Sequence, residues 1–224
     1  MMMSPPDYYK MVRAEIAPLL PAKATRVLDL GCGTGLTSKW LKRRYYPTAH
    51  IVGVDGNAAI LPELSKNVDD AHIVNLNDGF PEIGAPDLVL CLDILEHLVD
   101  PDTVLRRVVS AMADYGTIII SLPNIAYIRV AAPLFLLGKF DYRDAGILDQ
   151  THLRFFTRAS TLRLVRGANL DVTGMIRNGL DDVGARRSNR LLNALTGGLL
   201  SDRFTEQYIL SAQLSPRMRI EGFN

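Results

Sequence analysis

The sequence predicts an α/β protein in which helices cover both faces of a mainly parallel sheet. Two observations predict this fold class. Short apolar segments alternate with segments of helical periodicity through the first half of the chain, as they do when parallel strands are joined by helices. A glycine-rich turn, "GCGTG" at Gly31–Gly35, directly follows the first apolar segment, which is where open sheets of this kind bind ligands.

Five strands and three helices are predicted in the first half of the chain. The strands are Thr25–Leu30, His50–Asp55, Ala71–Leu76, Asp87–Leu92 and Gly116–Pro123. The helices are Gly35–Tyr46, Ala58–Asn67 and Asp100–Ala113, and Asp100 with Pro101 is a typical helix start. Because right-handed crossovers bring the carboxyl ends of parallel strands to one edge, we expect the binding site at that edge.

The second half of the chain is less regular. A helix over Ile125–Gly138 is followed by a long connection over Lys139–Thr157. The elements predicted after it are a helix over Thr157–Ala168, a strand over Asn169–Arg177, a helix over Ser188–Gly198 and a strand over Thr205–Leu214. The last strand is expected to be antiparallel, at or near an edge of the sheet.

The composition excludes several classes of protein. The 224 residues carry a formal net charge of +1, which gives no global attraction to nucleic acid or to an acidic membrane surface. The longest apolar run contains Arg129 and Pro133 and is shorter than the roughly 18 apolar residues of a membrane span. The two cysteines and the lack of a signal peptide favour a reduced, cytoplasmic protein, expected as a monomer or homodimer.

The spacing of three glycines indicates which kind of cofactor binds. Gly31, Gly33 and Gly35 are spaced G-x-G-x-G, whereas the dinucleotide fingerprint needs a glycine at the position of Leu36. Asp29, just before the turn, would repel a pyrophosphate. It suits the ammonium group of S-adenosylmethionine (SAM), a sulfonium cofactor without phosphate. A nicotinamide enzyme is therefore disfavoured.

Two more acids follow the next two strands. Asp55 lies about 20 residues past the glycines, where a carboxylate binds ribose hydroxyls. Asp78 either accepts a hydrogen bond from an adenine amino group or is a turn residue before Gly79. Three acids after three successive strands, together with the glycine turn, predict a SAM site.

Four segments, "VLDLGCGTG", "GVDGN", "DLVLCLDILEHLVDP" and "TIIISLPN", resemble in order the motifs of class I SAM-dependent methyltransferases. The resemblance runs from Tyr8 to Leu214. "LDQTHLRFFT" resembles a segment of a branch rich in small-molecule and sugar-related O-methyltransferases, and also the methionine-biosynthesis W protein, whose role includes helping a partner enzyme. The resemblance implies a Rossmann-like, doubly wound sheet of about seven strands with the last antiparallel. It also implies SAM as cofactor and S-adenosylhomocysteine (SAH) as product.

The resemblance also implies the roles of the site residues. Asp29 and the glycine turn hold the methionine end of SAM, Asp55 binds the ribose and Asp78 lies near the adenine. In similar enzymes an N-terminal tyrosine pair, here Tyr8 and Tyr9, closes over the cofactor. The predicted SAM-binding residues are Tyr9, Asp29, Gly31, Cys32, Gly33, Gly35, Asp55, Gly56, Asn57, Asn77, Asp78, Leu92 and Asp93.

The segment "CLDILEHL" follows the fourth strand, where the methyl group is expected to point. His97 is a candidate base for an acceptor hydroxyl, or it holds the loop backbone in place. Asp93, Glu96 and His97 share one face of a helical turn. A similar acidic set holds magnesium in a branch that methylates quinone precursors, but a solvated turn is favoured here and no metal site is predicted.

His152, between apolar residues of the long connection, is the second candidate catalytic base. Two other interpretations are open. His152 orients the substrate, or together with Arg154 it ties the connection to the core by hydrogen bonds.

We interpret residues 1–224 as one domain. It comprises an N-terminal lid helix at 1–24, a SAM-binding half at 25–124, a substrate cover at 125–160, closing helices and strands at 161–214 and a tail at 215–224. The expected activity is methyl transfer to a hydroxyl oxygen of a small molecule or a sugar or glycan precursor, with no nucleic acid and no stable membrane insertion. The alternative is a non-catalytic, SAM-binding regulatory partner of another enzyme, with an exposed apolar patch on Ile125–Gly138.

Overall fold

A single seven-stranded sheet runs through the protein. The computed structural model describes residues 11–181 and 187–216. The strands are β1 (Arg26–Leu30), β2 (His50–Asp55), β3 (Asp70–Ile73), β4 (Leu88–Leu92), β5 (Thr117–Pro123), β6 (Leu170–Asn178) and β7 (Gln207–Leu214). Their order in the sheet is β3-β2-β1-β4-β5-β7-β6. β7 is antiparallel to both of its neighbours, and the other described pairs are parallel.

Helices connect these strands. They are α1 (Leu36–Arg44), α2 (Leu61–Leu64), α3 (Pro101–Ala111), α4 (Ile128–Leu137), α5 (Arg158–Gly167), α6 (Arg187–Leu195) and α7 (Ser201–Phe204). Short 3-10 helices lie at Ala14–Leu19, Ala58–Ile60 and Leu95–His97. Within the described ranges, no helix is both long enough and apolar enough to cross a membrane.

The central strands are apolar on both faces, and this sets the core. Every residue of β4 and β5 is buried. Successive side chains of β4 alternate, with Val89 and Cys91 in one hydrophobic cluster and Leu88 and Leu90 in another. The two clusters cover the two faces of the sheet, as the predicted fold class requires. The fold class is confirmed, and the last strand is antiparallel and next to the edge strand β6.

Three predicted elements are shorter than expected. The N-terminal segment forms a 3-10 helix of six residues that contains Pro18, which has no N–H to donate within a helix. The second helix is a 3-10 turn followed by the four residues of α2. β3 ends at Ile73 because the Asn75 side chain accepts the backbone N–H of Asn77 at 3.1 Å and turns the chain.

Candidate active site

The glycine turn joins β1 to α1 and forms the floor of a cavity. Gly31, Gly33 and Gly35 all have positive φ, at 68°, 55° and 75°. The backbone N–H of Gly31 donates to the Val54 carbonyl at 2.8 Å and fixes the turn against β2. A Cβ on Gly31 would lie 2.8 Å from the Cβ of Ile94, so only glycine fits under the loop that follows β4.

The cavity has a volume of about 450 Å³ and opens at the carboxyl ends of the strands, where it was predicted. It lies between the glycine turn, the tip of β4 and the connection that follows α4. Eight of the predicted site residues line it: Asp29, Gly31, Cys32, Gly33, Leu92, Asp93, His97 and His152.

Asp29 lies beneath the glycine turn and is 2% exposed. Its carboxylate accepts a hydrogen bond from the Ser38 hydroxyl at 2.6 Å. Burial is the main reason that the pKa of Asp29 is raised to about 7; the Ser38 hydrogen bond opposes this shift and the nearby Asp55 adds to it. A cationic group brought into this cavity would favour the ionised carboxylate, because it would compensate for the lost solvation.

Asp55, at the end of β2, shapes the turn. Its two carboxylate oxygens accept the backbone N–H groups of Gly33 and Asn57, each at 2.9 Å. The Asn57 side chain in turn accepts the N–H of Ala59 at 3.0 Å and caps the following 3-10 helix. Asp55 therefore lies next to the glycine turn, although it does not line the cavity itself.

The remaining predicted cofactor residues lie further from the cavity. Asp78 accepts a hydrogen bond from the Asn75 side chain at 2.7 Å, which is the geometry of a turn residue. Asn77 accepts the backbone N–H of Val99 at 2.8 Å and ties the turn after β3 to the loop after β4. Gly35 and Gly56 are also outside the cavity lining. Tyr8 and Tyr9 lie outside the described residues.

Asp93, directly after β4, has a left-handed backbone with φ of 55°. Such a conformation is strained in a residue other than glycine and is held by its surroundings. Here the Ser121 hydroxyl accepts the Asp93 N–H at 2.9 Å and donates to its carboxylate at 2.8 Å. The carboxylate also forms an ion pair with Arg13 and accepts a hydrogen bond from Gln207.

Arg13 and Gln207 are site residues that sequence reasoning missed. The Arg13 guanidinium contacts Asp93, Glu15 and the side-chain oxygen of Gln207, and it places a positive charge at the cavity. Arg13 and Gln207 are 80 and 114 residues from Asp93 along the chain, so no local spacing pattern relates them. The predicted return of the last strand to the sheet was a signal for Gln207, and Arg13 had only its place in the predicted N-terminal lid helix.

Glu96, His97 and His152 form a cluster on the other side of the cavity. One carboxylate oxygen of Glu96 and one ring nitrogen of each histidine lie within 4.8 Å of one another. Asp93, Glu96 and His97, for which a solvated turn was favoured over a metal site, do not form such a cluster, and the Asp93 carboxylate is paired with Arg13. Glu96, His97 and His152 are instead the residues that could hold a divalent cation.

The two histidines have the same tautomer. Nδ1 of His97 lies 3.2 Å from the Thr151 carbonyl, and Nδ1 of His152 lies 3.1 Å from the Ile147 carbonyl. Since a carbonyl oxygen only accepts, each Nδ1 carries the hydrogen and each Nε2 is left as an acceptor in the neutral ring. Burial and the neighbouring His152 lower the pKa of His97, which favours this neutral form.

Glu96 is 1% exposed, and its Oε2 atom has no hydrogen-bond partner among the described residues. Its Oε1 atom lies 4.0 Å from Nε2 of His152. Burial raises the pKa of Glu96 to about 8. The Glu96 carbonyl accepts the backbone N–H groups of Leu153 and Arg154 at 2.8 and 3.0 Å, so it also anchors the long connection.

The long connection lies against the carboxyl end of β5. Phe156 pairs with Asn124 in an isolated bridge. Asn124 is itself buried and donates through its side chain to the Asp202 and Thr205 carbonyls at 2.7 and 2.8 Å. The Arg154 guanidinium donates to the Val99 carbonyl at 2.5 Å. Arg154 therefore ties the connection to the loop that follows β4, whereas the Nδ1 hydrogen bond of His152 lies within the connection itself.

Comparison with known proteins defines the class of this fold and site. Residues 7–174 match the family model of a methyltransferase domain. The chain belongs to this family, and the predicted SAM cofactor is confirmed. The resemblance to class I SAM-dependent methyltransferases is also confirmed.

Two curated relatives and one solved structure illustrate how similar this chain is to known methyltransferases. The chain is 31% identical over 178 residues to a ubiquinone biosynthesis O-methyltransferase of Xylella fastidiosa, covering 71% of this chain and 68% of that protein. It is 32% identical over 104 residues to a trans-aconitate 2-methyltransferase of Variovorax paradoxus, covering 46% of this chain and only 40% of the relative's length. The CcbJ methyltransferase of Streptomyces caelestis has a TM-score of 0.62 at 15% identity, with 94% of this chain and 90% of that chain covered. At this identity the structural likeness shows the fold alone.

Proposed function

We propose that this methyltransferase transfers the methyl group of SAM to a hydroxyl oxygen of a small molecule, for example a sugar or glycan precursor. The observation that carries the proposal is the pair of acceptor Nε2 atoms on His97 and His152 at the cavity. A hydroxyl acceptor must lose its proton during transfer, and a positioned imidazole can take it. The name of the Xylella fastidiosa relative, an O-methyltransferase, also favours oxygen.

The residues of the cavity fit SAM. Gly31 lines the cavity and carries no side chain, so its backbone can approach a ligand there. Asp29 and Asp93 are anionic partners for the ammonium group of the methionine end, and Arg13 is a cationic partner for its carboxylate. In this proposal Asp55 binds the ribose through the lone pairs that Gly33 and Asn57 leave free.

The remaining predicted cofactor residues keep their proposed roles. Asp78 and its neighbours lie at the adenine end of the site, and Leu92 lies beside the cofactor at the tip of β4. The proposed SAM-binding set is Tyr9, Asp29, Gly31, Cys32, Gly33, Gly35, Asp55, Gly56, Asn57, Asn77, Asp78, Leu92 and Asp93, with Arg13 added.

When bound, SAM supplies an electrophilic methyl group on its sulfonium. The protein's own part is to position the acceptor oxygen in line behind that carbon and to remove its proton. His152 is the proposed base, because its Nδ1–H is fixed by the Ile147 carbonyl while Nε2 lies near the buried carboxyl group of Glu96. His97 packs edge-on against His152 with ring centroids 4.7 Å apart and is the second candidate. Residues 125–160 are proposed to cover the acceptor.

Substitution of the two histidines tests this proposal. We expect His152→Ala to keep SAH affinity but to lose about a hundredfold or more in turnover, the usual contribution of a general base. Turnover is measured as transfer of label from methyl-labelled SAM to the small-molecule fraction of a cell extract. His50→Ala is the matched control, because His50 is exposed on β2 and pairs with Asp70. Full turnover in both His152→Ala and His97→Ala would rule out an imidazole base.

One observation favours a second candidate function. α4 has no buried residue, and it exposes Phe135, Leu136 and Leu137 by 87%, 71% and 67%. An exposed apolar patch of this kind is typical of a surface that contacts a partner. A SAM-binding regulator would bind SAH with normal affinity and transfer no label in the same assay.

A further inference from the structure

A second cavity, of about 510 Å³, lies between α4 and the connection that follows it. Its volume is within the usual range for a site that binds a small molecule. One wall is apolar and is built mainly by Tyr127, Val130, Pro133 and Leu148. We call it the α4 cavity.

The α4 cavity adjoins the cavity at the glycine turn. Ala145, Gly146, Ile147 and Glu206 line both of them. Gly146 is exposed, and a Cβ added to it would have no described atom within 4 Å, so no packed side chain surrounds the boundary of the two cavities at this residue. The Ile147 carbonyl also holds Nδ1 of His152, so the same stretch of chain borders both cavities and positions the proposed base.

The two cavities differ in charge. The cavity at the glycine turn is lined by the acids Glu15, Asp93, Asp149 and Glu206 against the single described arginine Arg13. Asp29 and Glu96 also line it, but burial raises the pKa of each carboxyl group and so favours its neutral form. The α4 cavity is lined by Arg129 and Arg143 against the single described acid Glu206, which lies at the junction. Neither Arg129 nor Arg143 has an ion pair or side-chain hydrogen bond with any described residue. Both guanidinium groups are therefore available to a ligand.

We propose that the α4 cavity binds the methyl acceptor and that the acceptor is an organic anion. Its carboxylate or phosphate group is held by Arg129 and Arg143, since guanidinium groups match both anions with two parallel hydrogen bonds. Its apolar body lies against α4, and its hydroxyl passes Glu206 toward His97 and His152. This inference rests on the proposed function, because it takes the cavity at the glycine turn as the place of methyl transfer.

Calorimetry with three matched probes tests the inference. The probes are 4-hydroxybenzoate, 4-hydroxyphenyl phosphate and the neutral 4-hydroxybenzamide, each titrated into the SAH-loaded protein. We expect one or both anions to bind about tenfold or more tightly than the amide, because hydrogen bonds between charged groups are stronger than those to a neutral amide. The tighter of the two anions identifies whether the site takes a carboxylate or a phosphate.

Two double variants locate the binding site. R129Q/R143Q is expected to remove the preference for the anions and to leave SAH affinity unchanged. R106Q/R107Q is the control, because these two arginines are exposed on α3 and line neither cavity. Equal binding of anion and amide, no saturable anion binding, or an anion preference that survives R129Q/R143Q would overturn the inference. Titration of SAH alone reports on the cofactor site, and the transfer of label from methyl-labelled SAM reports separately on the proposed function, so failure of either would be seen apart from loss of anion binding.

Discussion

Glu96 has a buried carboxyl group with an unusual lack of hydrogen-bond partners within the described ranges. A buried carboxyl group is usually fully hydrogen-bonded, yet Oε2 of Glu96 has no partner in the part of the chain that the structure describes. Such an atom is available to a ligand or to a proton. Burial raises its pKa to about 8, so the folded protein holds the group protonated at a pH where a solvated glutamate is ionised.

This raised pKa predicts how stability depends on pH. A carboxyl group with a higher pKa in the folded chain stabilises the fold most below its unfolded pKa, and this contribution is lost as the pH rises through the folded pKa. For Glu96 the window runs from 4.5 to about 8. We expect Glu96→Gln to flatten the fall of the unfolding free energy in this window by up to about 1.4 kcal/mol per pH unit.

Urea denaturation at a series of pH values measures this slope. Glu82→Gln is the control, since it removes an exposed carboxyl group and should leave the slope as in the wild type. A Glu96→Gln protein with the wild-type slope would show that Glu96 ionises normally in the folded chain.

Single residues were predicted well where their role is local. The spacing of Gly31, Gly33 and Asp29 around one turn was enough to place them at the cavity. Asp93 was assigned to the same face as Glu96 and His97, but Arg13 comes from a distant segment and engages it. The helical spacing that related the three residues contains no information about such a long-range ion pair.

The turn between β1 and α1 is the element on which the cofactor site depends. Gly31 and Gly138 have nearly the same backbone, with φ of 68° and 64°. An added Cβ at Gly31 would meet Ile94 at 2.8 Å, whereas at Gly138 it would meet nothing within 4 Å. Alanine at either position bears the left-handed backbone cost of about 1–2 kcal/mol, and only Gly31→Ala adds a collision.

We therefore expect Gly138→Ala to lower the unfolding free energy by about 1–2 kcal/mol, the cost of a left-handed alanine, and to bind SAH normally. Gly31→Ala should lose more stability and most of its SAH affinity, because the turn must move away from Ile94 to make room for the alanine side chain. Urea denaturation and SAH calorimetry on both proteins measure these effects. Equal losses in the two variants would show that the contact with Ile94 is unimportant.

Elements were predicted best where the apolar pattern is strong. β4 is apolar throughout, β5 is apolar except for Thr117 and Ser121, and both have almost the predicted bounds. β3 was predicted too long, because the polar side chain of Asn75 turns the chain inside an otherwise apolar-looking segment. α7 was not predicted, since four residues are too few to show a helical period.

At the scale of the whole molecule, strand order brings the site together. β1, β2, β4 and β5 end at one edge, and the antiparallel β7 returns Gln207 to the Asp93 carboxylate at that edge. The alternation of strands and helices predicted the parallel sheet and the edge at which the site lies. It did not predict the second cavity, because the packing of α4 against the connection has no periodic signal in the sequence.

The division of charge between the two cavities also belongs to this scale. The net charge of +1 shows no such division, since acids and bases cancel over the chain. In the fold, acids gather around the place of a cationic cofactor, and Arg129 and Arg143 line the adjoining α4 cavity. In the proposed arrangement the anionic group of the acceptor stays in the α4 cavity, away from these acids. Only the acceptor's hydroxyl reaches Glu206, where the two cavities meet.

The central claim is that the methyl group goes to oxygen. The most direct measurement is nuclear magnetic resonance of the product formed from SAM with an isotopically labelled methyl group and the small-molecule fraction of a cell extract. The chemical shift of the labelled methyl identifies the atom that carries it. We predict a methyl group bonded to oxygen, and a labelled methyl on nitrogen, sulfur or carbon would contradict the account.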